Sequence, residues 1–255
     1  MESENPDDDA LRLLLGAGSS IGGARPKAAV VNGQGDLLMA KFPRVSSDEW
    51  DVMAWEHLSL TLASRAGIST PRNELMSVAG RNVLLLNRFD RQGSRRIGYA
   101  SAMTMLEAVD GERRSYLEIA EIIEQTSPSA TNELNELWRR IAFSVLISNT
   151  DDHLRNHGFL RSDSEGSWNL SPVFDLNPNP APGPKHLSTA IDFDTYAANT
   201  DTLLEVAPYF RVRSPKTVLA EIAHAVSGWV AEARRLGITE GEIDLMSGAF
   251  APGSR

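Results

Sequence analysis

The spacing of apolar residues in this chain changes from strand-like to helix-like near residue 98, and this change limits the possible folds. Before it, apolar runs at 28–31 and 37–42 flank Asn32-Gly33-Gln34-Gly35, a turn sequence that favours a β-hairpin. Runs at 75–78 and 83–89 flank a second turn at residues 80–82 in the same way. The first part of the chain is therefore predicted to be rich in β-structure.

The remaining apolar runs have helical spacing. Between the hairpins, Ser46 and Glu49 have the spacing of a capping box, which predicts a helix that ends near Gly67. In the second part, apolar residues recur every three or four positions. Helices are predicted there at 102–109, 116–125, 134–147, 203–209, 216–236 and 240–246, with short strands at 158–160 and 168–170.

This order predicts an α+β fold of two lobes with a cleft between them. We expect residues 1–10 to form a disordered acidic tail, residues 11–95 a β-rich N-lobe and residues 96–255 a helical C-lobe. Helix and strand patterns segregated along the chain are typical of α+β proteins.

Composition excludes several functional classes. The chain has no cysteine, so disulfides, thiolate catalysis and cysteine-based zinc sites are excluded. No apolar run approaches the roughly 20 residues that span a bilayer, so no membrane association is expected. The net charge of −9, with basic residues scattered along the chain, argues against direct binding of nucleic acid.

The most informative polar cluster follows the predicted helix at 134–147. Asp151 and Asn156 lie five residues apart in a predicted loop, and Asp175 follows later. Protein kinases use the same spacing in their catalytic loop, where the aspartate receives or orients the hydroxyl proton and the asparagine binds magnesium. A further carboxylate, here Asp175, completes the metal site because Mg²⁺ takes few ligands from protein. Taken alone, the cluster fits a helix end and a turn equally well.

A lysine in the second strand is the next candidate. Lys41 ends the apolar run 37–41, where a strand lysine facing a cleft can neutralise nucleotide phosphates. Glu56 on the following helix is a possible ion-pair partner, although an exposed helix residue is the simpler interpretation. For Lys41 alone, a charge facing solvent is also the simpler interpretation.

Residues 19–27 form a loop rich in glycine and small residues, whose backbone N–H groups could contact phosphate oxygens. The loop matches neither a Walker A sequence nor the Gly-x-Gly-x-x-Gly pattern of ordinary kinases. By itself it predicts no more than a surface turn. The serial order of glycine loop, Lys41, lobe junction, Asp151 with Asn156, and Asp175 is nevertheless the order that a kinase requires.

Several segments together resemble the HipA-like serine/threonine kinase toxins of bacteria. The resemblance extends from about residue 18 to 190 and is carried by five segments: residues 20–27 (Ser-Ile-Gly-Gly-Ala-Arg-Pro-Lys), 38–43 (Leu-Met-Ala-Lys-Phe-Pro), 87–91 (Asn-Arg-Phe-Asp-Arg), 148–156 (Ser-Asn-Thr-Asp-Asp-His-Leu-Arg-Asn) and 170–176 (Leu-Ser-Pro-Val-Phe-Asp-Leu).

The resemblance implies a protein-kinase-like fold and an ATP- and Mg²⁺-dependent serine/threonine kinase. It implies that Asp151 is the catalytic base and that Asn156 and Asp175 bind the metal. The nucleotide-binding residues that it implies are Ser20, Gly22, Gly23, Ala24, Lys41, Arg88, Phe89, Asp90 and His153, with the His153 ring also ordering the catalytic loop. It further implies inhibitory autophosphorylation on Ser20 or its neighbour Ser19.

The resemblance also suggests partners. Such toxins are cytoplasmic, phosphorylate a protein serine, in some relatives on an aminoacyl-tRNA synthetase, and pair with an antitoxin. Full-length relatives carry a further segment before the glycine loop, so the chain looks similar to the short HipT-like form or to a stand-alone kinase. We therefore expect a helix-turn-helix HipB-like antitoxin, a small HipS-like protein that supplies the missing subdomain, or both. Two alternatives remain open, a non-catalytic nucleotide-binding module and a small-molecule phosphotransferase of related fold.

Overall fold

A computed structural model describes residues 25–44, 48–78, 80–93, 95–162 and 166–250 of the chain. The expected acidic tail and the glycine loop through residue 24 lie outside the described residues. The N-lobe contains a four-stranded antiparallel sheet in the order β1-β2-β4-β3. Its elements are β1 (Lys27–Val31), β2 (Leu37–Lys41), helix α1 (Val52–Arg65), β3 (Asn73–Val78) and β4 (Arg81–Asn87).

Short strands follow the sheet and lead into the helical C-lobe. They are β5 (Arg91–Gln92), β6 (Arg95–Arg96) and β7 (Tyr99–Ser101). The C-lobe then contains helices α2 (Ala102–Met105), α3 (Tyr116–Thr126), α4 (Ala130–Leu146), α5 (Thr200–Val206), α6 (Pro215–Ser227), α7 (Trp229–Arg235) and α8 (Glu240–Met246), and strands β8 (Gly158–Arg161) and β9 (Trp168–Leu170). Strands β7, β8 and β9 form a small antiparallel sheet. The α+β, two-lobed, kinase-like fold is as predicted.

Helix α1 joins the two lobes. Ten of its residues are buried, and its apolar side chains belong to the same core as those of the C-lobe helices. Burying a leucine or valine side chain contributes about 1.5–3 kcal/mol. Because α1 is buried on nearly every face, it is a central element and not an amphipathic surface helix.

Helix α1 begins later than the predicted capping box. The N-cap is Asp51, whose carboxylate accepts a hydrogen bond from the backbone N–H of Ala54 at 3.0 Å. The backbone N–H of Asp51 in turn donates to Glu242 Oε2 at 3.2 Å. The predicted start is therefore wrong at Glu49, which precedes the helix, while Ser46 lies outside the described residues.

Two other predicted helices are shorter than expected. The helix predicted at 102–109 ends at Met105, and Glu107 takes a left-handed conformation with φ of 50°. The helix predicted at 216–236 is divided at Gly228 into α6 and α7. The bend lets Trp229 stack on Phe250, with the ring centroids 4.6 Å apart.

Candidate active site

Lys41 occupies the last position of β2 and is buried, with 7% of its surface exposed. Its Nζ lies 2.6 Å from Glu56 Oε1 and 2.9 Å from Asp175 Oδ1. Burial disfavours the ammonium, but the charges of Glu56 and Asp175 outweigh it and raise the pKa of Lys41 above its ordinary value. The side chain is therefore a fixed positive charge and does not face solvent.

Glu56 is buried in α1 with 1% of its surface exposed. The simpler sequence interpretation, an exposed helix residue, is wrong because the helix is covered on nearly all sides. Burial raises the pKa of Glu56, while the charge of Lys41 opposes that rise. A carboxylate desolvated to this extent is stable as an ion only with a partner such as Lys41.

Asp175 lies in an irregular segment after β9 and takes a left-handed conformation with φ of 63°. This region is uncommon for a residue other than glycine, and such strain concentrates at functional sites. The Oδ1 atom accepts from Lys41 Nζ and, at 3.3 Å, from Asn177 Nδ2. Burial would raise the pKa of Asp175, but the charge and the hydrogen bond of Lys41, together with the charge of Lys27, lower it overall, so the carboxylate is ionised at neutral pH.

Asp151 and Asn156 lie together in the loop after α4. Asp151 is exposed, whereas Asn156 is buried. Asn156 Nδ2 donates to the backbone carbonyl of Asp151 at 3.0 Å, and the backbone N–H of His153 donates to the same carbonyl at 2.9 Å. This hydrogen bond fixes the orientation of the Asn156 amide. The amide oxygen is the atom of this side chain that can bind a cation.

The adjacent Asp152 has a different environment from Asp151. It is buried, and its Oδ2 accepts from Tyr116 Oη at 2.7 Å and from Ser144 Oγ at 3.1 Å. His157 Nε2 lies 3.0 Å from Asp152 Oδ1. Burial opposes ionisation, but His157 and the two hydroxyl donors outweigh it and lower the pKa of Asp152. Asp152 therefore anchors the loop, and Asp151 is the carboxylate that is accessible to a substrate.

The histidine that lies against this anchor is His157, not His153. The Nδ1 atom of His153 is buried without a hydrogen-bond partner among the described residues, so the ring hydrogen bond expected for His153 is not seen at that atom. Both ring nitrogens of His157 also lack an aligned hydrogen bond there, so His157 meets Asp152 at ion-pair distance only. His157 packs edge-on against the Tyr116 ring, with the centroids 5.5 Å apart.

Hydrogen bonds join the Asp151 loop to the segment that carries Asp175. The backbone N–H of Asn179 donates to the carbonyl of Ser148 at 3.1 Å, and Asn179 Nδ2 donates to Thr150 Oγ1 at 2.8 Å. The backbone N–H of Asn177 donates to Asn149 Oδ1 at 3.4 Å. Asp175 is therefore held both by the N-lobe lysine and by the loop that contains Asp151.

A cavity of about 360 Å³ lies between the lobes and contains Lys41 and Asp175. One wall is apolar, and Phe89 packs against Phe174 and Tyr99 with centroid distances of 5.8 and 6.3 Å. The lining residues are Lys27, Met39, Lys41, Pro71, Leu86, Asn87, Arg88, Phe89, Asp90, Tyr99, Phe174 and Asp175. An apolar slot that ends at a lysine and a carboxylate suits a flat base attached to phosphates.

At the lobe junction, Asp90 joins two arginines. Arg88 donates to both Asp90 oxygens, at 2.7 and 2.5 Å, and Arg91 Nη1 donates to Oδ2 at 2.5 Å. Their charges hold the pKa of Asp90 below its ordinary value, against the effect of burial. Burial, together with the nearby Asp90 charge, raises the pKa of Tyr99 to about 12, so this phenol is neutral at physiological pH.

Sequence analysis did not identify seven lining residues, which are Lys27, Met39, Pro71, Leu86, Asn87, Tyr99 and Phe174. Two could have been found from strand periodicity. Met39 is two positions before Lys41 and so shares its face of β2, and Lys27 is the register partner of Lys41 on β1. The register pair of Met39 with Leu86, and the approach of Tyr99, depend on strand pairing and lobe packing.

The glycine-loop residues Ser19, Ser20, Gly22, Gly23 and Ala24 lie outside the described residues. Within the described ranges, no group of three or more His, Asp and Glu side chains gathers as a metal site. The candidate metal ligands are therefore two, the Asp175 carboxylate and the Asn156 amide oxygen. Both are hard oxygen donors of the kind that Mg²⁺ prefers.

No helix in the described part of the chain is long and apolar enough to cross a membrane.

Comparisons with known proteins identify a family and a relative that is described as a putative kinase. Residues 19–233 match the HipA-like C-terminal domain family. A Haemophilus influenzae protein described as a putative kinase is 28% identical over 184 residues, which is 62% of this chain and 52% of that protein. The chain thus spans about half the length of this relative.

Two solved structures share the fold at low sequence identity. HipA of Shewanella oneidensis, solved with HipB and operator DNA, has a TM-score of 0.70 at 14% identity and covers 91% of this chain and 62% of its own. The Helicobacter pylori proinflammatory kinase CtkA has a TM-score of 0.56 at 16% identity and covers 90% of this chain and 92% of its own. With more than half of its residues matched, the chain belongs to the HipA-like C-terminal domain family.

Proposed function

We propose that this chain is an ATP-dependent serine/threonine protein kinase and the toxin of a toxin–antitoxin pair. The observation that carries the proposal is the Lys41 ammonium, held between Glu56 and Asp175 in the interlobe cavity. The exposed Asp151 nearby is available as a base, which a purely nucleotide-binding module would not need. Family membership supports kinase activity.

In the proposed reaction, the Asp151 carboxylate accepts the proton of the acceptor hydroxyl. The hydroxyl oxygen then forms a bond to the γ-phosphorus of ATP while the bond from that phosphorus to the β,γ-bridging oxygen breaks, and ADP leaves. Lys41 binds α- and β-phosphate oxygens, which replace Asp175 as its partner. Asp175 and Asn156 would hold Mg²⁺, which would supply positive charge beside the phosphates.

We propose the same nucleotide roles for the remaining candidates. Phe89, together with the backbone near Arg88 and Asp90, would face the base, and His153 would lie beside Asp175. Ser20, Gly22, Gly23 and Ala24 would contact phosphate oxygens. Autophosphorylation of Ser20, or of Ser19, would place about two negative charges beside the nucleotide phosphates and so oppose binding. Mass spectrometry after incubation with ATP tests this step, and an active enzyme unmodified at both serines would contradict it.

The proposed partners are a target protein and an antitoxin. The similar Shewanella structure contains HipA with HipB and DNA, which favours a HipB-like partner for this chain. A small HipS-like protein is also proposed as a partner, on the resemblance of the chain to the HipT-like form. An aminoacyl-tRNA synthetase is the proposed class of target, and the cytoplasm, where ATP and such targets occur, is the proposed location.

The test is transfer of labelled phosphate from [γ-³²P]ATP to proteins in a bacterial lysate, with Asp151→Asn as the control. Loss of a catalytic base reduces transfer by about 10²–10⁴-fold while binding of a non-hydrolysable ATP analogue remains. Equal labelling by wild type and variant would contradict the assignment of Asp151. Labelling only of small metabolites would favour the small-molecule phosphotransferase instead.

A further inference from the structure

A second cavity, of about 320 Å³, adjoins the loop that contains Asp151. It shares no lining residue with the interlobe cavity that contains Lys41 and Asp175. Three segments form its walls. They are the loop before α3 (residues 109–114), the turn after Asp151 (residues 153–155) and a stretch that follows the Asp175 segment (Ser188, Thr189 and Tyr196), with Met103 completing the lining.

Hydrogen bonds fix these walls to the Asp151 loop. The backbone N–H and the side chain of Ser188 both donate to the Thr150 carbonyl, at 3.0 and 2.9 Å. Thr189 Oγ1 donates to the carbonyl of Asp152 at 2.8 Å. The backbone N–H of Ala190 donates to the Arg114 carbonyl at 3.0 Å, which joins the third wall to the first. The cavity is therefore a fixed neighbour of Asp151.

The charge of this cavity differs from that of the whole chain. Three arginines and two carboxylates line it, although the chain has a net charge of −9. Arg114 is paired with Glu112 and Glu118, and Arg155 is paired with Asp110. Arg113 has no carboxylate within ion-pair distance among the residues that the structure describes, and its guanidinium lies over the Tyr196 ring, 5.4 Å from the centroid.

A guanidinium held over the face of an aromatic ring can still donate its N–H groups to another partner. The guanidinium fork matches a carboxylate and can form two parallel hydrogen bonds with it. A protein segment that presents a hydroxyl to Asp151 would extend into the adjoining cavity within a few residues, because an extended chain advances about 3.3 Å per residue. The group of the substrate that fits Arg113 is therefore an acidic side chain close to the acceptor.

We propose that Arg113 determines acceptor specificity by binding the carboxylate of an Asp or Glu near the phosphorylated serine or threonine of the substrate. This inference rests on the proposed protein kinase function. Arg113 contacts the substrate away from the reacting atoms, so it acts on acceptor affinity. Tyr196 holds the guanidinium in place, and the exposed pair of Arg155 with Asp110 can open to admit the substrate.

The test uses peptides from a dephosphorylated, digested bacterial lysate, incubated with the full chain and ATP and read by mass spectrometry. Wild type should favour an acidic residue at one position near the acceptor by about tenfold, which is what one charged hydrogen-bonded pair contributes. Arg113→Ala should abolish that preference, and Arg113→Glu should replace it with a preference for Lys or Arg. Arg234→Ala, which removes an exposed arginine on α7, should leave the preference as in wild type.

The outcomes separate this inference from the proposed function. Transfer without any acidic preference, or a preference that survives in Arg113→Glu, overturns the role of Arg113 and leaves the kinase activity standing. No transfer to any peptide or protein overturns both. Thermal unfolding of each variant checks that the fold is intact, and Arg113→Gln, which keeps one NH₂ donor group but loses the charge, should show an intermediate preference.

Discussion

Lys41 Nζ and Asp175 Oδ1 are separated by 134 positions in sequence and by 2.9 Å in the structure. This ion pair joins the last residue of an N-lobe strand to an irregular segment of the C-lobe. The second partner of Lys41, Glu56, is buried in the helix that connects the two lobes. One ammonium therefore lies between two carboxylates and offsets their mutual repulsion.

Replacing Lys41 should separate its structural role from its proposed role in nucleotide binding. Lys41→Met leaves Glu56 buried without its partner, and breaking a buried pair in this way costs about 3–5 kcal/mol. The double variant Lys41→Met/Glu56→Gln removes the unpaired charge and should recover most of that stability. It should not recover nucleotide affinity or phosphoryl transfer, because the positive charge is absent. Urea unfolding and titration with an ATP analogue measure the two effects, and recovery of both properties would contradict the proposed role of Lys41.

Asp152 should make stability depend on pH in the acid range. Its pKa in the folded protein is lower than the ordinary value of 3.8, so its contribution is present above that pH and is lost as the pH falls through the folded value. At pH 7, Asp152→Asn should lower the free energy of unfolding by about 1–3 kcal/mol, since buried donors lose a charged acceptor.

The difference between wild type and Asp152→Asn should shrink below about pH 4, which denaturant unfolding at several pH values would measure. Asp194→Asn is a matched control because Asp194 is exposed. Its unfolding free energy should equal that of wild type across the range. A constant difference for Asp152→Asn would show that the anchor does not act through its charge.

Glu242 should act on the nucleotide site from a distance. It accepts from Trp55 Nε1 at 2.9 Å and from the Asp51 backbone at 3.2 Å, and so fixes the start of the helix that carries Glu56. Glu242→Ala should cost about 1–3 kcal/mol of stability and should raise the KM for ATP more than it lowers kcat.

Glu124→Ala is the comparison for Glu242, because its pair with Arg211 is exposed on both sides. Removing an exposed ion pair changes stability by about 1 kcal/mol at most. It should leave the KM for ATP as in wild type. An effect of Glu242→Ala on stability alone would mean that the start of α1 does not control the position of Glu56.

Gly158 should tolerate no side chain. A Cβ at this position would lie 2.4 Å from Tyr99 Cε2 and 2.7 Å from Ser171 Oγ, so alanine must displace the Tyr99 ring that lines the interlobe cavity. Gly158→Ala should cost about 1–3 kcal/mol and weaken binding of an ATP analogue.

Gly241→Ala provides the contrast to Gly158→Ala. Nothing lies within 4 Å of a Cβ at Gly241, which is in helix α8. Alanine there should leave nucleotide binding unchanged and raise stability by about 0.5–1 kcal/mol. Calorimetric melting and a nucleotide titration test both variants, and normal nucleotide affinity in Gly158→Ala would contradict the contact with Tyr99.

Local patterns in the sequence were enough to predict the fold class and most of its elements. Turn residues and strand periodicity gave both hairpins of the N-lobe, and helical spacing gave the long helix α4. Helix ends were less predictable. The start of α1 depends on Glu242, which lies 191 positions away, and the bend at Gly228 depends on aromatic packing against Phe250.

For the candidate site, the sequence by itself determined which residue types were available and in what order along the chain, because spacing such as that of Asp151 and Asn156 is a local property. Only the tertiary structure decided that Lys41 pairs with Glu56 and Asp175, that Asp152 is buried while Asp151 is exposed, and that Arg113 lacks a carboxylate partner within the described ranges. Burial and ion pairing depend on which distant segments pack together. The same carboxylate can therefore be a solvated surface charge or half of a buried pair, and no local pattern distinguishes the two.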